Sequence, residues 1–219
     1  MRVGFSVAQR KLFPYQSTIS DPVVDKVIDW VIGGGRLVLT GFELGERHHE
    51  SNMNRLASAF GLQIRSDVIV AAEDPVVNKQ YDREHSYDSF AEPRHPVLAG
   101  VESLILRNAC SLYLEPGCRP IVMVGRNRIY DLHPDAASYS PSPHGSGQFG
   151  FRLAAGMQTF LPPVAVENRA VVAEAPAGLT GKGSVIAIGS WDFRCAGEGN
   201  QAFLKNLARW LQNEEAGAS

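Results

Sequence analysis

Three features of the chain predict an α/β domain, three-layered around a mostly parallel sheet with flanking helices. The first is the order of elements between residues 21 and 71: helix, Gly-Gly-Gly, strand, loop, helix, Gly, strand. That order belongs to layered α/β units. The second is a pair of short apolar runs, 36–40 (RLVLT) and 184–190 (SVIAIGS). They are continuous rather than alternating, as in strands covered on both faces. The third is size: 219 residues, 44% hydrophobic and 20% charged, suffice for one core in a single domain spanning 1–219.

The elements follow in order. Residues 3–8 (VGFSVA) read as a short strand, and a loop runs to Ser20. Ser20-Asp21-Pro22 opens a helix, with Asp21 as the cap and Pro22 in the first turn, where its missing N–H costs nothing. Val23, Val24, Val27, Ile28 and Val31 recur at helical spacing and are expected to face the sheet. Gly33-Gly34-Gly35 ends this helix, and RLVLT follows. Residues 41–51 form a loop before a helix over 52–60, which carries Met53, Leu56, Ala57 and Phe60 on one face and stops at Gly61. LQIRSDVIVA then alternates as one strand. Residues 72–95 are polar and irregular, and HPVLAGV turns into a short helix or strand. Short strands are predicted over 103–106, 111–114 and 120–124, with turns at Glu115-Pro116-Gly117 and Gly125. These make β-rich insertions in the second half. Residues 131–150, rich in Pro, Ser and Gly, read as a flexible loop or lid. FLPPVAVEN, AVVAEA and SVIAIGS give three more strands, with GLTGKG turning into the last. A final helix follows, with Phe203, Leu204, Leu207, Trp210 and Leu211 on its apolar face.

Composition excludes several classes of function. Net charge is -2 and the basic residues are scattered, so no footprint for a phosphate backbone, and hence no nucleic-acid partner, is expected. PIVMVG and VIAIG are too short to cross a bilayer, and MRVGFSVAQRK lacks the apolar stretch of a signal peptide. Cys110, Cys118 and Cys195 are odd in number and show no CxxC or CxxH spacing. Reduced thiols in a cytoplasmic protein are the simplest reading.

Three segments together carry a resemblance: VDKVIDWVIGGGRLVLTGFELG, HPVLAGV, and GKGSVIAIGSWDF with GEGNQAFLKNLARWL. In this order they resemble the class I glutamine amidotransferase-like superfamily. Within it they are most similar to the non-catalytic branch that includes the domain shared by intraflagellar transport and gliding-motility proteins and the trimerisation domain of some β-galactosidases. Asn200 and Asn206 hold the asparagine spacing of that pattern, and Trp210-Leu211 close it. The resemblance implies a flavodoxin-like, amidotransferase-like sheet. That family carries further βα units before the helix at 21–32, so either the open reading frame is short or the sheet is expected to be reduced or completed by a partner. Ser190-Trp191-Asp192 stands where the pattern has Gly-Asp.

The superfamily's enzymes place a thiol on the sharp turn after the central strand, where backbone amides stabilise a thiolate and an oxyanion. Here that turn is Thr40-Gly41-Phe42, without cysteine, so no catalytic residue is assigned. The loop TGFELGERHHESN and the segment Ser190-Trp191-Asp192 both follow apolar strands. In open parallel sheets crevices form beyond those strand ends. A ligand- or partner-binding edge is therefore expected at Gly41, Phe42, Glu43, His48, His49, Asn52, Ser190, Trp191 and Asp192. His48, His49 and Glu50, with Glu43 or Glu46, offer nitrogen and oxygen ligands for a divalent metal; a solvated loop capping the next helix is the alternative, and no cofactor is expected. His95-Pro96 is read as a segment packed near the sheet edge, and His133 and His144 flank the lid. The reading is a non-catalytic binding or scaffolding module in a larger assembly, with a protein partner or a second copy. The alternatives are a hydrolase, metal-assisted or not, acting on a small polar or sugar-like substrate through the 41–52 loop, and a small-ligand sensor.

Overall fold

The computed structural model describes residues 19–42, 45, 53–71, 84–131, 137–141, 149–152, 169–192 and 197–212. The predicted strands at 3–8 and 160–168 lie outside them. Helix α1 spans Asp21–Ile32. Its cap is Ser20, in extended conformation and without a side-chain bond. Asp21 instead lies in the first turn, where its carboxylate pairs with Arg55 and suits the positive end of the helix. Gly34, at φ +118°, makes the reversal into strand β1 (Arg36–Thr40). Helix α2 (Met53–Ser58) leads through Gly61, φ +73°, into β2 (Leu62–Ile64).

The run LQIRSDVIVA is two strands rather than one. β2 ends at Ile64, and β3 (Asp67–Val70) joins a different sheet. Next come β4 (Glu84–Tyr87), a 3-10 turn (Pro96–Leu98), β5 (Leu104–Arg107), β6 (Leu112–Leu114), β7 (Arg119–Met123) and β8 (Arg128–Asp131). β9 (Ala137–Pro141) falls in the segment read as a lid and pairs antiparallel with β10 (Phe149–Arg152). β11 (Ala170–Ala175), β12 (Ser184–Ile188) and helix α3 (Gly197–Leu211) complete the order.

The predicted three-layer α/β class with a mostly parallel sheet is overturned. The main sheet has six strands in the order β1-β12-β11-β6-β2, with β7 also on β11. Among the described residues only β1 and β12 run parallel; β11–β12, β11–β7, β11–β6 and β2–β6 are antiparallel. Three two-stranded sheets, β3–β8, β4–β5 and β9–β10, are antiparallel too. The described residues contain three α-helices against twelve strands. The reason lies in the connections. A parallel pair needs a crossover of about a dozen residues, usually a helix. Between the sheet neighbours β11 and β12 the chain has residues 176–183 alone, too few for a crossover helix, so it reverses there. The other antiparallel neighbours of the main sheet come from separate parts of the chain.

What the helical periodicity did capture is the packing around β1. Leu37 and Leu39 join Val24, Val27 and Val31 of α1 and Leu56 of α2 in one core. Val38, on the opposite face, joins Phe203, Leu207 and Trp210 of α3 in another. β12 divides in the same way, Val185 and Ala187 to the first core, Ile186 and Ile188 to the second. Val23, expected to face the sheet, is 46% exposed.

Candidate functional site

The parallel pair β1–β12 sets the geometry. β1 and β12 end side by side, with Thr40 opposite Ile188, and the Gly41 N–H continues the ladder to the Ile188 carbonyl (2.6 Å). The chain segments that follow are thus neighbours. The rings of Phe42 and Trp191 meet with centroids 5.9 Å apart and planes tilted by 37°, a favourable offset geometry for aromatic pairs. Both are half-buried. The structure therefore brings together Gly41, Phe42, Ser190, Trp191 and Asp192. Glu43, His48, His49, Glu50 and Asn52, and with them the metal question, lie outside the described residues, as do Cys195, His133 and His144.

Gly41 has no room for a side chain. A Cβ there would stand 2.9 Å from Ile64 Cγ2 and 3.1 Å from Cys110 Sγ, with the Gly189 backbone at 3.5 Å. The space under the turn after β1 is thus filled by a sulfur, but one delivered from the segment before β6. That thiol is fully buried and donates to the Gly189 carbonyl (3.3 Å), the setting of a structural rather than a reactive cysteine. Cys118, half-buried against the Phe60 and Gly61 carbonyls, has its thiol pushed up by burial and by Glu115.

Ser190 and Asp192 are engaged in holding β5. β5 pairs with β4 on one side. On the other, Ser190 Oγ donates to the Arg107 carbonyl (2.5 Å), and the Arg107 N–H donates to the Asp192 carbonyl (3.2 Å). The Asp192 N–H in turn donates to Ser190 Oγ (3.0 Å). Two residues along, Asn200 meets both peptide groups of Ile105: Oδ1 accepts from its N–H (2.8 Å) and Nδ2 donates to its carbonyl (2.7 Å). The Ser-Trp-Asp segment and the first asparagine of the Asn-x5-Asn spacing are thus one device, which substitutes for a further strand along β5. The second asparagine, Asn206, donates to the Ala99 carbonyl (2.7 Å) and hangs the 3-10 turn on α3. Around this edge Arg107 grips one oxygen of Glu84 through both Nε and Nη2, each at 2.7 Å.

Two buried carboxylates were not singled out by sequence reasoning. Glu174 sits in β11, whose residues are all buried. It accepts from Ser184 Oγ (2.7 Å) and lies 3.3 Å from His95 Nε2. The Val97 N–H donates to His95 Nδ1 (3.3 Å), so the ring proton belongs on Nε2, directed at Glu174. His95-Pro96 is thereby tied to the central sheet. Burial alone would raise the Glu174 carboxyl, but the bonds from His95 and Ser184 and the pull of His95 and Arg119 outweigh it and hold it below its ordinary value. Asp67, in β3, accepts from Ser111 N–H (2.7 Å) and Oγ (2.5 Å). There burial wins, helped by Asp131 across the strand pair, and the carboxyl is raised. The visible signal for both was one acid inside an apolar strand, AVVAEA and DVIV.

These two groups act oppositely on stability. The depressed Glu174 contributes stability above the ordinary glutamate range that is lost as pH falls through its folded value. The raised Asp67 favours the fold while protonated, and its contribution is lost as pH rises through its folded value. In denaturant titrations across the acid and neutral range, Glu174→Gln is expected to lose less stability on acidification than the parent. Asp67→Asn, in which Ser111 keeps both bonds by turning its hydroxyl, is expected to lose less on the alkaline side. Parallel curves for the parent and both variants would contradict this assignment.

The fold and this edge together define a class: a mixed-sheet domain with a half-exposed aromatic pair beyond the parallel strand pair β1–β12. No protein-family model matches the chain, and no curated protein matches it. Among solved structures it is similar to the mmIFT52 N-terminal domain, with a TM-score of 0.59 and 13% identity over 93% of this chain and 76% of that one. At that identity the likeness is one of fold, and it agrees with the intraflagellar-transport side of the resemblance read from the sequence. Among the described residues, no helix is long and apolar enough to cross a membrane.

Proposed function

We propose that this chain is a non-catalytic binding or scaffolding module, a relative of the amidotransferase-like superfamily, that acts within a larger protein assembly. The observation that carries the reading is the filled turn after β1. Where that superfamily's enzymes carry their nucleophile, this chain has the turn Thr40-Gly41-Phe42, without cysteine, and a side chain added at Gly41 would run into Ile64 and Cys110. The fold likeness to the mmIFT52 N-terminal domain supports the same reading. The contact surface proposed is the edge built by Phe42 and Trp191 with the Asp192 side chain; Glu43, His48, His49 and Asn52, which follow in sequence, are assigned to it from the sequence reading alone. Ser190 positions this edge from beneath. Aromatic side chains on a rigid support are the residues that dominate protein interfaces, and here the support is the Ser190–Arg107–Asp192 bonding.

The test is affinity capture of the native complex with the full chain and with F42A/W191A. The parent is expected to retain a stoichiometric protein partner, and the double variant to lose about tenfold or more in affinity while keeping its circular dichroism spectrum. Capture of no stoichiometric partner, or equal retention by both chains, would overturn the proposal.

A further inference from the structure

The outer edge of β2 carries a second inference, which goes beyond the proposed function. Peptide groups of an antiparallel strand point alternately to its two sides. The Gly61 carbonyl accepts from the Glu115 N–H (2.9 Å), the Arg65 N–H donates to the Ser111 carbonyl (3.0 Å), and Gln63 lies opposite Tyr113. The groups of residues 61, 63 and 65 therefore point to β6, and those of Leu62 and Ile64 point outward. At Ile64 both outward groups are met by one side chain from α2. Asn54 Oδ1 accepts from the Ile64 N–H (2.7 Å), and Asn54 Nδ2 donates to the Ile64 carbonyl (2.8 Å). A side-chain amide has one donating and one accepting end, like a peptide group, so Asn54 stands where a residue of the next strand would.

We propose that Asn54 is an edge guard that keeps β2 from pairing with β2 of a second copy of this chain. The occupant it excludes follows from the register. A twofold axis at Gln63 sets Leu62 of one copy opposite Ile64 of the other, antiparallel, so that every outward N–H meets an outward carbonyl. Among the described residues at the axis, Gln63 is exposed and uncharged, and Tyr113 beside it is 48% exposed. Exposed strand edges are sites of self-association, and proteins block them. The same device recurs at β5, where Asn200 meets both groups of Ile105.

The experiment compares the full-length parent, N54A and N54A/Q63K by sedimentation velocity and thermal melting, over roughly a hundredfold range of protein concentration. N54A is expected to melt lower and to approach about twice the parent's mass as concentration rises. The Leu62 and Ile64 amides should exchange more slowly in the associated form. N54A/Q63K places two ammonium groups opposite each other at the axis, where like charges repel. It is expected to return to the parent's mass without recovering the melting temperature. A lowered melting point with the parent's mass at every concentration would make Asn54 a mere structural bond and overturn the inference. So would association that Q63K leaves unchanged. If N54A does not fold, N54S is read by the same criteria.

Discussion

Asn200→Leu is expected to destabilise the domain by about 2–5 kcal/mol, because it orphans two peptide groups at once, at about 1–3 kcal/mol each. Asn200 is 2% exposed, and its carboxamide is bonded to both the N–H and the carbonyl of Ile105. Leucine keeps the number and branching of the heavy atoms but supplies neither partner. Asn200→Asp separates the two contributions. A carboxylate still accepts from the Ile105 N–H, but it faces the carbonyl with a negative charge and must be buried or protonated. The aspartate variant is therefore expected to be weak at neutral pH and to recover partly on acidification, whereas the leucine variant should not recover. Urea unfolding at two pH values reads both. A loss below about 1 kcal/mol for leucine would mean that the segment relaxes to water and that β5 is not held from this side.

Gly189→Ala is expected to cost at least about 3 kcal/mol and to abolish soluble expression if the domain is only marginally stable. An added Cβ would lie on the Cys110 carbonyl oxygen, with Val171 Cγ2 at 3.4 Å. The obstacle is backbone rather than the end of a flexible side chain, so no rotamer change relieves it. Moving the backbone would break the bonds from the Cys110 N–H to the Gly189 carbonyl (2.9 Å) and from the Gly189 N–H to Val171 (2.7 Å). Gly178→Ala is the control. It has φ +97° but nothing within 4 Å of its would-be Cβ, so it should show only the strain of the left-handed conformation, about 1 kcal/mol. Equal losses at the two positions would show that close approach is not what demands glycine at 189.

Much of the local structure was legible in the sequence. The valine spacing, Pro22 and the triple glycine place α1 and β1, and the apolar spacing over 203–211 places α3. These signals are local, set by one helix and its own caps. The sheet was misread because strand direction depends on how far the chain must travel between neighbours. The turn GLTGKG, which forbids parallel pairing of β11 with β12, was visible and recognised as a turn. The antiparallel pairing of β6 and β7 with β11, and of β2 with β6, joins segments distant in the chain and left no local signal. For the edge, strand ends placed Gly41 near Trp191. The roles of Ser190 and Asn200 could not be read, because their partners Arg107 and Ile105 lie 83 and 95 positions away. Glu174 and Asp67 were legible only as oddities, since what satisfies a buried acid is fixed by tertiary contacts with His95, Ser184 and Ser111.

The parallel pairing of β1 with β12 also has a consequence in time. β11 and β12 are joined by one short turn and can form as soon as both exist, whereas β1 must wait for a strand made from the far end of the chain. Arg36, at the start of β1, donates to the Trp210 carbonyl across 174 positions and stacks on the same indole, 5.2 Å from its centroid. Contacts this distant close the largest loops and form late. The Phe42–Trp191 contact is therefore assembled only when β1 has met β12. A chain truncated before β12 lacks Trp191 and cannot form it.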